Sequence, residues 1–181
     1  MIPDTCFDRI PDITGKKIVI VGDILHSRVA RSNMALLNLF GADVHVVAPA
    51  TLMPPHVEQL GVTAHTNIET ALQDADVVMC LRMQLERQSS GLIPAMGEYI
   101  RLYSITQERL SRFCKPDVLV MHPGPMNRGV EISSDVADNK DKSLITNQVT
   151  SGVAIRMALL YLVVSSPNDL AGGHINEKTA S

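Results

Sequence analysis

The sequence predicts an α/β domain of three layers, with a mostly parallel sheet between helices on both of its faces. Three features lead to that class. Short runs rich in Val and Ile recur, each cut off by Gly, Pro or a polar cluster. Apolar residues at helical spacing fill the intervals between them. The two patterns keep alternating, which is the signature of βαβ units and a Rossmann-like layering.

The first run, Lys17 to Val21 (KIVIV), is continuous rather than alternating, as expected of a strand covered on both faces, and Gly22 stops it. From Ser27 to Phe40, Val29, Ala30, Met34, Leu36, Leu37 and Phe40 follow helical spacing, and Gly41 supplies a left-handed stop. ADVHVVAP is the second strand, closed by Pro49. A short helix is expected near Pro54 to Leu60, a strand near Val62 to Ala64, and a helix from Ile68 to Gln73 behind Asn67. A strand then follows at Asp76 to Cys80. RLYSI (101–105) reads as a further strand. Thr106 caps a helix through Phe113, and DVLVM at Asp117 to Met121 is another buried strand. Gln148 to Val164 is the last strong helix, apolar over more than a narrow stripe, which implies burial from several sides. The expected organisation is an extension over residues 1–14, the α/β domain over 15–166 and a frayed tail over 167–181.

Composition excludes several functions. The chain has 181 residues, 45% of them hydrophobic and 19% charged, with a formal net charge of −3. An acidic balance argues against nucleic acid, whose binding domains are usually basic. No apolar run comes near the roughly 18 residues that would imply a membrane span, and the N-terminus has no secretory apolar segment. Cys6, Cys80 and Cys114 are odd in number and far apart, which fits a reducing cytoplasm better than a disulfide framework. The six histidines show no metal-ligand spacing, so no metal is expected, and no cofactor either.

In a parallel sheet, ligands bind beyond the carboxyl ends of the strands. Three polar clusters fall at such ends: GDILHSRVARSN, LRMQLER and HPGPMNRG. Arg28 sits in a first helical turn, where free backbone N–H groups favour an anion, although on its own it reads more readily as a solvated surface charge. Arg82 follows a buried strand, and its forked guanidinium suits a carboxylate; Gln84 alternates with it toward the same crevice. Glu86 and Arg87 are as consistent with a local surface pair. Pro123 and Pro125 stiffen the third cluster, and Gly124 lets a ligand approach the backbone, so the turn presents either carbonyl acceptors to an amine or simply a rigid connector.

Together with NQVTSGVAIRMALLYLVV, these three clusters, in this order and each after a strand, resemble the second half of aspartate carbamoyltransferases over about Gly15 to Ser166. The resemblance implies that Arg28 binds one carboxylate of L-aspartate and Arg82 the other, with Gln84 positioning the Arg82 loop. It assigns Gly124 and Pro125 to backbone contacts with carbamoyl phosphate, and the Pro123 carbonyl to the amide or attacking amine. Catalysis would come from proximity and orientation, with no residue acting as a covalent nucleophile. The sister ornithine carbamoyltransferases carry His-Cys-Leu-Pro where this chain has His122-Pro123-Gly124-Pro125, which favours aspartate. The family's carbamoyl-phosphate lobe, with its Ser-Thr-Arg-Thr motif, has no counterpart here. The resemblance therefore implies a partner lobe, a homotrimeric complete enzyme, and little activity for this half alone. The other reading is a non-catalytic binding or assembly module derived from the same fold.

Overall fold

The structure is a computed structural model, and it describes residues 9–10, 12–83 and 96–165. Five strands form one sheet: β1 (Lys17–Val21), β2 (Asp43–Val47), β3 (Thr63–His65), β4 (Val77–Cys80) and β5 (Leu119–Met121). Their order is β3-β2-β1-β4-β5 and every pairing is parallel. Val21 lies beside Val47 on one side and Cys80 on the other, so three strands end level. The chain moves outward from β1 to β3, then crosses back to start again at β4. With right-handed crossovers, that reversal puts α1 (Arg28–Leu39) on one face and α2 (Ile68–Leu72), α3 (Met96–Tyr103) and α4 (Gln107–Phe113) on the other. It also opens a crevice between the carboxyl ends of β1 and β4.

Burial explains the strand sequences. Ile18, Val19, Ile20, Val77, Val78, Met79 and Val120 are all fully enclosed, because both faces of these strands are covered. The caps match the sequence reading: the Ser27 hydroxyl accepts from the Ala30 N–H at 3.1 Å, Asn67 Oδ1 from the Glu69 N–H at 2.8 Å, and Thr106 Oγ1 from the Arg109 N–H at 3.3 Å.

Three expectations need correction. The short helix near 54–60 is instead two separate 3₁₀ turns, Ala50–Leu52 and Val57–Leu60. Pro54 and Pro55 have no N–H to donate, and His56 takes a left-handed φ of 58°, which breaks any longer run. RLYSI is not a strand: Arg101–Tyr103 closes α3, the Ser104 N–H still bonds back to the Ile100 carbonyl, and Ile105 makes only an isolated bridge to Ile132. Tyr99 and Tyr103, four residues apart, bury their rings side by side with centroids 5.5 Å apart, and the Tyr103 hydroxyl donates to the Thr66 carbonyl at 2.8 Å. That pairing needs helical spacing.

The third correction concerns the final helix, α6 (Ile145–Val164), which follows the single-turn α5 (Ser134–Ala137). It starts one turn earlier than expected and is not enclosed from several sides. Only Ile145, Gln148 and Gly152 are buried, all near its start, whereas Leu160 is 65% exposed and Val163 82%. By length and composition alone this helix could cross a membrane. Its apolar residues are concentrated from Met157 onward, after Thr146, Asn147, Gln148, Thr150, Ser151 and Arg156. The 167–181 tail and most of the 1–14 extension lie outside the described residues, although Ile13 is buried in the core.

Candidate functional site

Each of the three polar clusters begins at the carboxyl end of a strand, and the first and third are held there by specific devices. Gly22 ends β1 with φ of 131°, and a Cβ at that position would lie 3.0 Å from Leu81 Cβ and 3.2 Å from the Leu81 carbonyl oxygen. Only glycine lets the ends of β1 and β4 close to this distance. Beyond it, Asp23 is 2% exposed; Asp23 Oδ1 accepts the His26 backbone N–H at 3.0 Å and both carboxylate oxygens lie 3.0 Å from His26 Nδ1. A carboxylate can only accept, so Nδ1 carries the proton in that bond. The loop is thereby fixed as it enters α1.

The third cluster is tied down from beneath. Gln148 Oε1 accepts the His122 N–H at 3.0 Å, so the start of α6 holds the end of β5. Gly124 has a φ of 62°, left-handed and suited to glycine, and the Gly124–Pro125 peptide is cis. Asn127 Nδ2 donates to the Met83 carbonyl at 3.2 Å, which joins this turn to the strand end carrying Arg82. Arg128, by contrast, spends both Nη atoms on Asp138 at 2.7 Å in an exposed pair outside the cavity.

These loops enclose a cavity of about 510 Å³ at the crevice between β1 and β4, lined by Ser27, Val29 and Arg82, by Pro123, Gly124 and Pro125, and by one side of α6. Arg82 and all three turn residues singled out from the sequence therefore meet in one hollow. Arg28 is exposed and lies in the chain between two lining residues, Ser27 and Val29, without lining the hollow itself. Gln84, Glu86 and Arg87 lie outside the described residues.

Sequence reading missed Arg156. It lines the same hollow from α6, with its Nε donating to the Gly152 carbonyl at 3.0 Å. The signal was present: a lone arginine in an apolar helix, one turn past a glycine. Cys80 is buried and Cys114 half-buried. Burial, with the nearby Glu131 carboxylate adding to it, pushes the Cys80 thiol far up, and burial raises Cys114 to about 11, so neither supplies a ready thiolate. Among the described residues, no group of three or more His, Cys, Asp or Glu could hold a metal ion.

Comparison with known proteins agrees with this architecture. The family model for the aspartate/ornithine carbamoyltransferase Asp/Orn-binding domain matches residues 14–163. The chain is 57% identical over 160 residues to the aspartate carbamoyltransferase catalytic subunit of Desulforudis audaxviator, covering 88% of this chain and 52% of that one. It is 58% identical over 151 residues to the catalytic subunit of Acaryochloris marina, covering 83% and 46% respectively. The aspartate transcarbamoylase of Trypanosoma cruzi, solved with N-(phosphonacetyl)-L-aspartic acid, superposes with a TM-score of 0.70 at 26% identity, over 87% of this chain and 52% of that one. Ornithine carbamoyltransferase from Pyrococcus furiosus superposes with a TM-score of 0.71, also at 26% identity and over the same shares of the two chains. The chain spans about half the length of the curated relatives it matches. On this evidence the chain belongs to the aspartate/ornithine carbamoyltransferase family and comprises its amino-acid-binding domain.

Proposed function

We propose that the chain is the aspartate-binding half of an aspartate carbamoyltransferase. In the reaction, the amine nitrogen of L-aspartate attacks the carbonyl carbon of carbamoyl phosphate. The carbon–oxygen bond to phosphate breaks, phosphate leaves, and the amine gives up a proton as carbamoyl-aspartate forms, a step of pyrimidine biosynthesis. The observation that carries this reading is the convergence of Arg82 and the Pro123–Gly124–Pro125 turn on one cavity at the sheet's crossover crevice. Arg82 offers a fork for one carboxylate and Arg28, at the rim, would take the other. The turn offers backbone carbonyls to the amine and amide without a covalent nucleophile, so the rate gain comes from orientation. Arg156 adds a further positive charge to the wall of a hollow that must hold anions.

Among the described residues, the cations lining the cavity are Arg82 and Arg156, and the relatives' additional length would supply further cations and N–H donors for carbamoyl phosphate. The exposed apolar half of α6 supports that view. Met157, Leu159, Leu160, Leu162, Val163 and Val164 are each more than half exposed, a surface that a further lobe would cover. A trimeric complete enzyme acting in the cytoplasm is part of the same proposal.

The test is an assay of carbamoyl-aspartate formation by the chain alone and after mixing with the remaining half of the Desulforudis relative. Activity is expected only in the mixture, with N-(phosphonacetyl)-L-aspartic acid inhibiting it. A mixture in which the two halves associate without turnover or inhibitor binding would leave the non-catalytic module as the better reading.

A further inference from the structure

Beneath the turn lies a pair of buried ionisable side chains that touch neither the cavity nor solvent. His122 is 0% exposed and Glu131 1%. His122 Nε2 is 3.1 Å from Glu131 Oε1, while His122 Nδ1 lies 2.9 Å from the Gly124 backbone nitrogen, whose N–H donates to it. These two bonds fix the ring. A nitrogen that accepts from an N–H carries no proton, so the imidazole is neutral, with its hydrogen on Nε2 donated to the carboxylate. The same Glu131 Oε1 also accepts the Asn127 backbone N–H, and the Asn127 side chain reaches the Met83 carbonyl. One carboxylate oxygen therefore holds both shoulders of the Pro123–Pro125 turn and, through Asn127, the strand end that carries Arg82.

The other oxygen, Glu131 Oε2, is buried with no hydrogen-bond partner among the described residues. An acid kept in the interior at half its bonding capacity is a poor stabilising device, since desolvating it is costly. Apolar side chains in place of the whole buried pair would serve packing as well, whereas loss of the acid alone strands the His122 Nε2–H and the Asn127 N–H. What the acid adds is direction. The Gly124 N–H is turned inward onto the ring, which fixes the peptide plane between Pro123 and Gly124 and with it the aim of the Pro123 carbonyl.

We propose that Glu131 is a positioning residue for carbamoyl transfer. Acting through the His122 ring and Asn127, it sets the orientation of the Pro123–Pro125 turn relative to Arg82. This rests on the reading of the cavity as a carbamoyl-transfer site, but its first test does not. In the 181-residue chain with ¹⁵N-labelled histidine, the His122 ring is expected as the Nε2–H tautomer with a slowly exchanging proton. Glu131→Ala should abolish that signature and move the backbone amides of Gly124 and Asn127, and Glu131→Gln, which keeps an acceptor oxygen, should restore both. An Nδ1–H tautomer, or unmoved amides in Glu131→Ala, overturns the pairing whatever the cavity binds. If Glu131→Ala does not fold, the wild-type ring spectrum and Glu131→Gln still decide.

In the chain mixed with the remaining half of the Desulforudis relative, Glu131→Ala should lower kcat by roughly 10²-fold, the scale of an ångström-sized misplacement, with the KM for aspartate changed less than about threefold. Glu131→Gln should recover most of the loss. Equal kcat in Glu131→Ala and wild type overturns the positioning role. Arg82→Ala run in parallel separates the two claims: if it turns over like wild type, the cavity reading has failed and the tautomer measurement alone judges the pair.

Discussion

The two ends of the sheet both carry charged side chains and use them in opposite ways. At the amino end, Asp76, 8% exposed, accepts from Lys115 Nζ at 2.8 Å and from the Lys17 backbone N–H at 3.0 Å, with Lys16 Nζ at 3.6 Å. The Asp76 charge is met by two lysines, and the cluster pins the starts of β1, β4 and β5. At the carboxyl end, Arg82 and Arg156 line a hollow and the acids beneath it, Asp23 and Glu131, are spent on histidines and backbone N–H groups. The contrast teaches that charge alone does not mark a site in this fold. The distinction is whether the acids near a guanidinium are already engaged in holding the loops.

The comparison breaks most visibly at Arg82. Arg82→Ala should remove about 1.5–3 kcal/mol for each charged hydrogen bond to a carboxylate, weakening N-(phosphonacetyl)-L-aspartic acid binding by one or two orders of magnitude in the assembled enzyme. Its unfolding midpoint should stay close to wild type, as calorimetry and urea titration would show. Gly22→Ala should be destabilising by about 1–3 kcal/mol, because the new Cβ meets Leu81 and φ lies in a region L residues avoid. It should also impair binding, since it pries apart the two strand ends that frame the cavity. Asp76→Ala should cost about 1–3 kcal/mol in urea unfolding and leave ligand affinity unchanged, the mirror image of Arg82→Ala.

The pH dependence sharpens the same contrast. Burial alone would raise the Asp76 carboxyl, but the Lys115 hydrogen bond, the Lys17 N–H and the two lysine charges outweigh it and hold it below its ordinary 3.8. A depressed acid contributes stability that is present above about 3.8 and lost as pH falls through its lower native value. His65, on the edge strand with His45 Nδ1 2.8 Å from its Nε2, is lowered from 6.5 by burial and by the His45 and Lys17 charges. It favours the neutral form in the folded state, so its contribution is full above about 6.5 and falls away below that. Urea midpoints between pH 3 and 8 should therefore decline in two stages, with Asp76→Asn flattening the lower one. The smallest effect is expected at Leu160→Ser, within about ±0.5 kcal/mol for the isolated chain because the side chain is exposed, yet disruptive once the second half is bound.

The strand cores were legible because fully buried parallel strands must be unbroken apolar runs, and the cavity's turn and Arg82 were legible because they follow such strands directly. RLYSI misled for the same reason: five residues cannot tell a buried strand from the end of a helix, and the Tyr99–Tyr103 pairing that decides it extends beyond them. Arg156 escaped because it reaches the site from α6, and Glu131 because it lies beneath the turn on a loop that folds back, neither at a strand end. The breadth of α6 was visible as composition, but whether that surface faces this chain or another is a property of the assembly.

The most direct measurement is a map of amide and guanidinium NMR shifts as N-(phosphonacetyl)-L-aspartic acid is titrated into the chain mixed with the remaining half of the Desulforudis relative. Saturable shifts are expected at Ser27, Arg28, Arg82 and Gly124, with Lys16, Asp76 and Lys115 unmoved. Shifts centred on the amino end of the sheet, or none at the carboxyl end at saturation, would contradict the proposal.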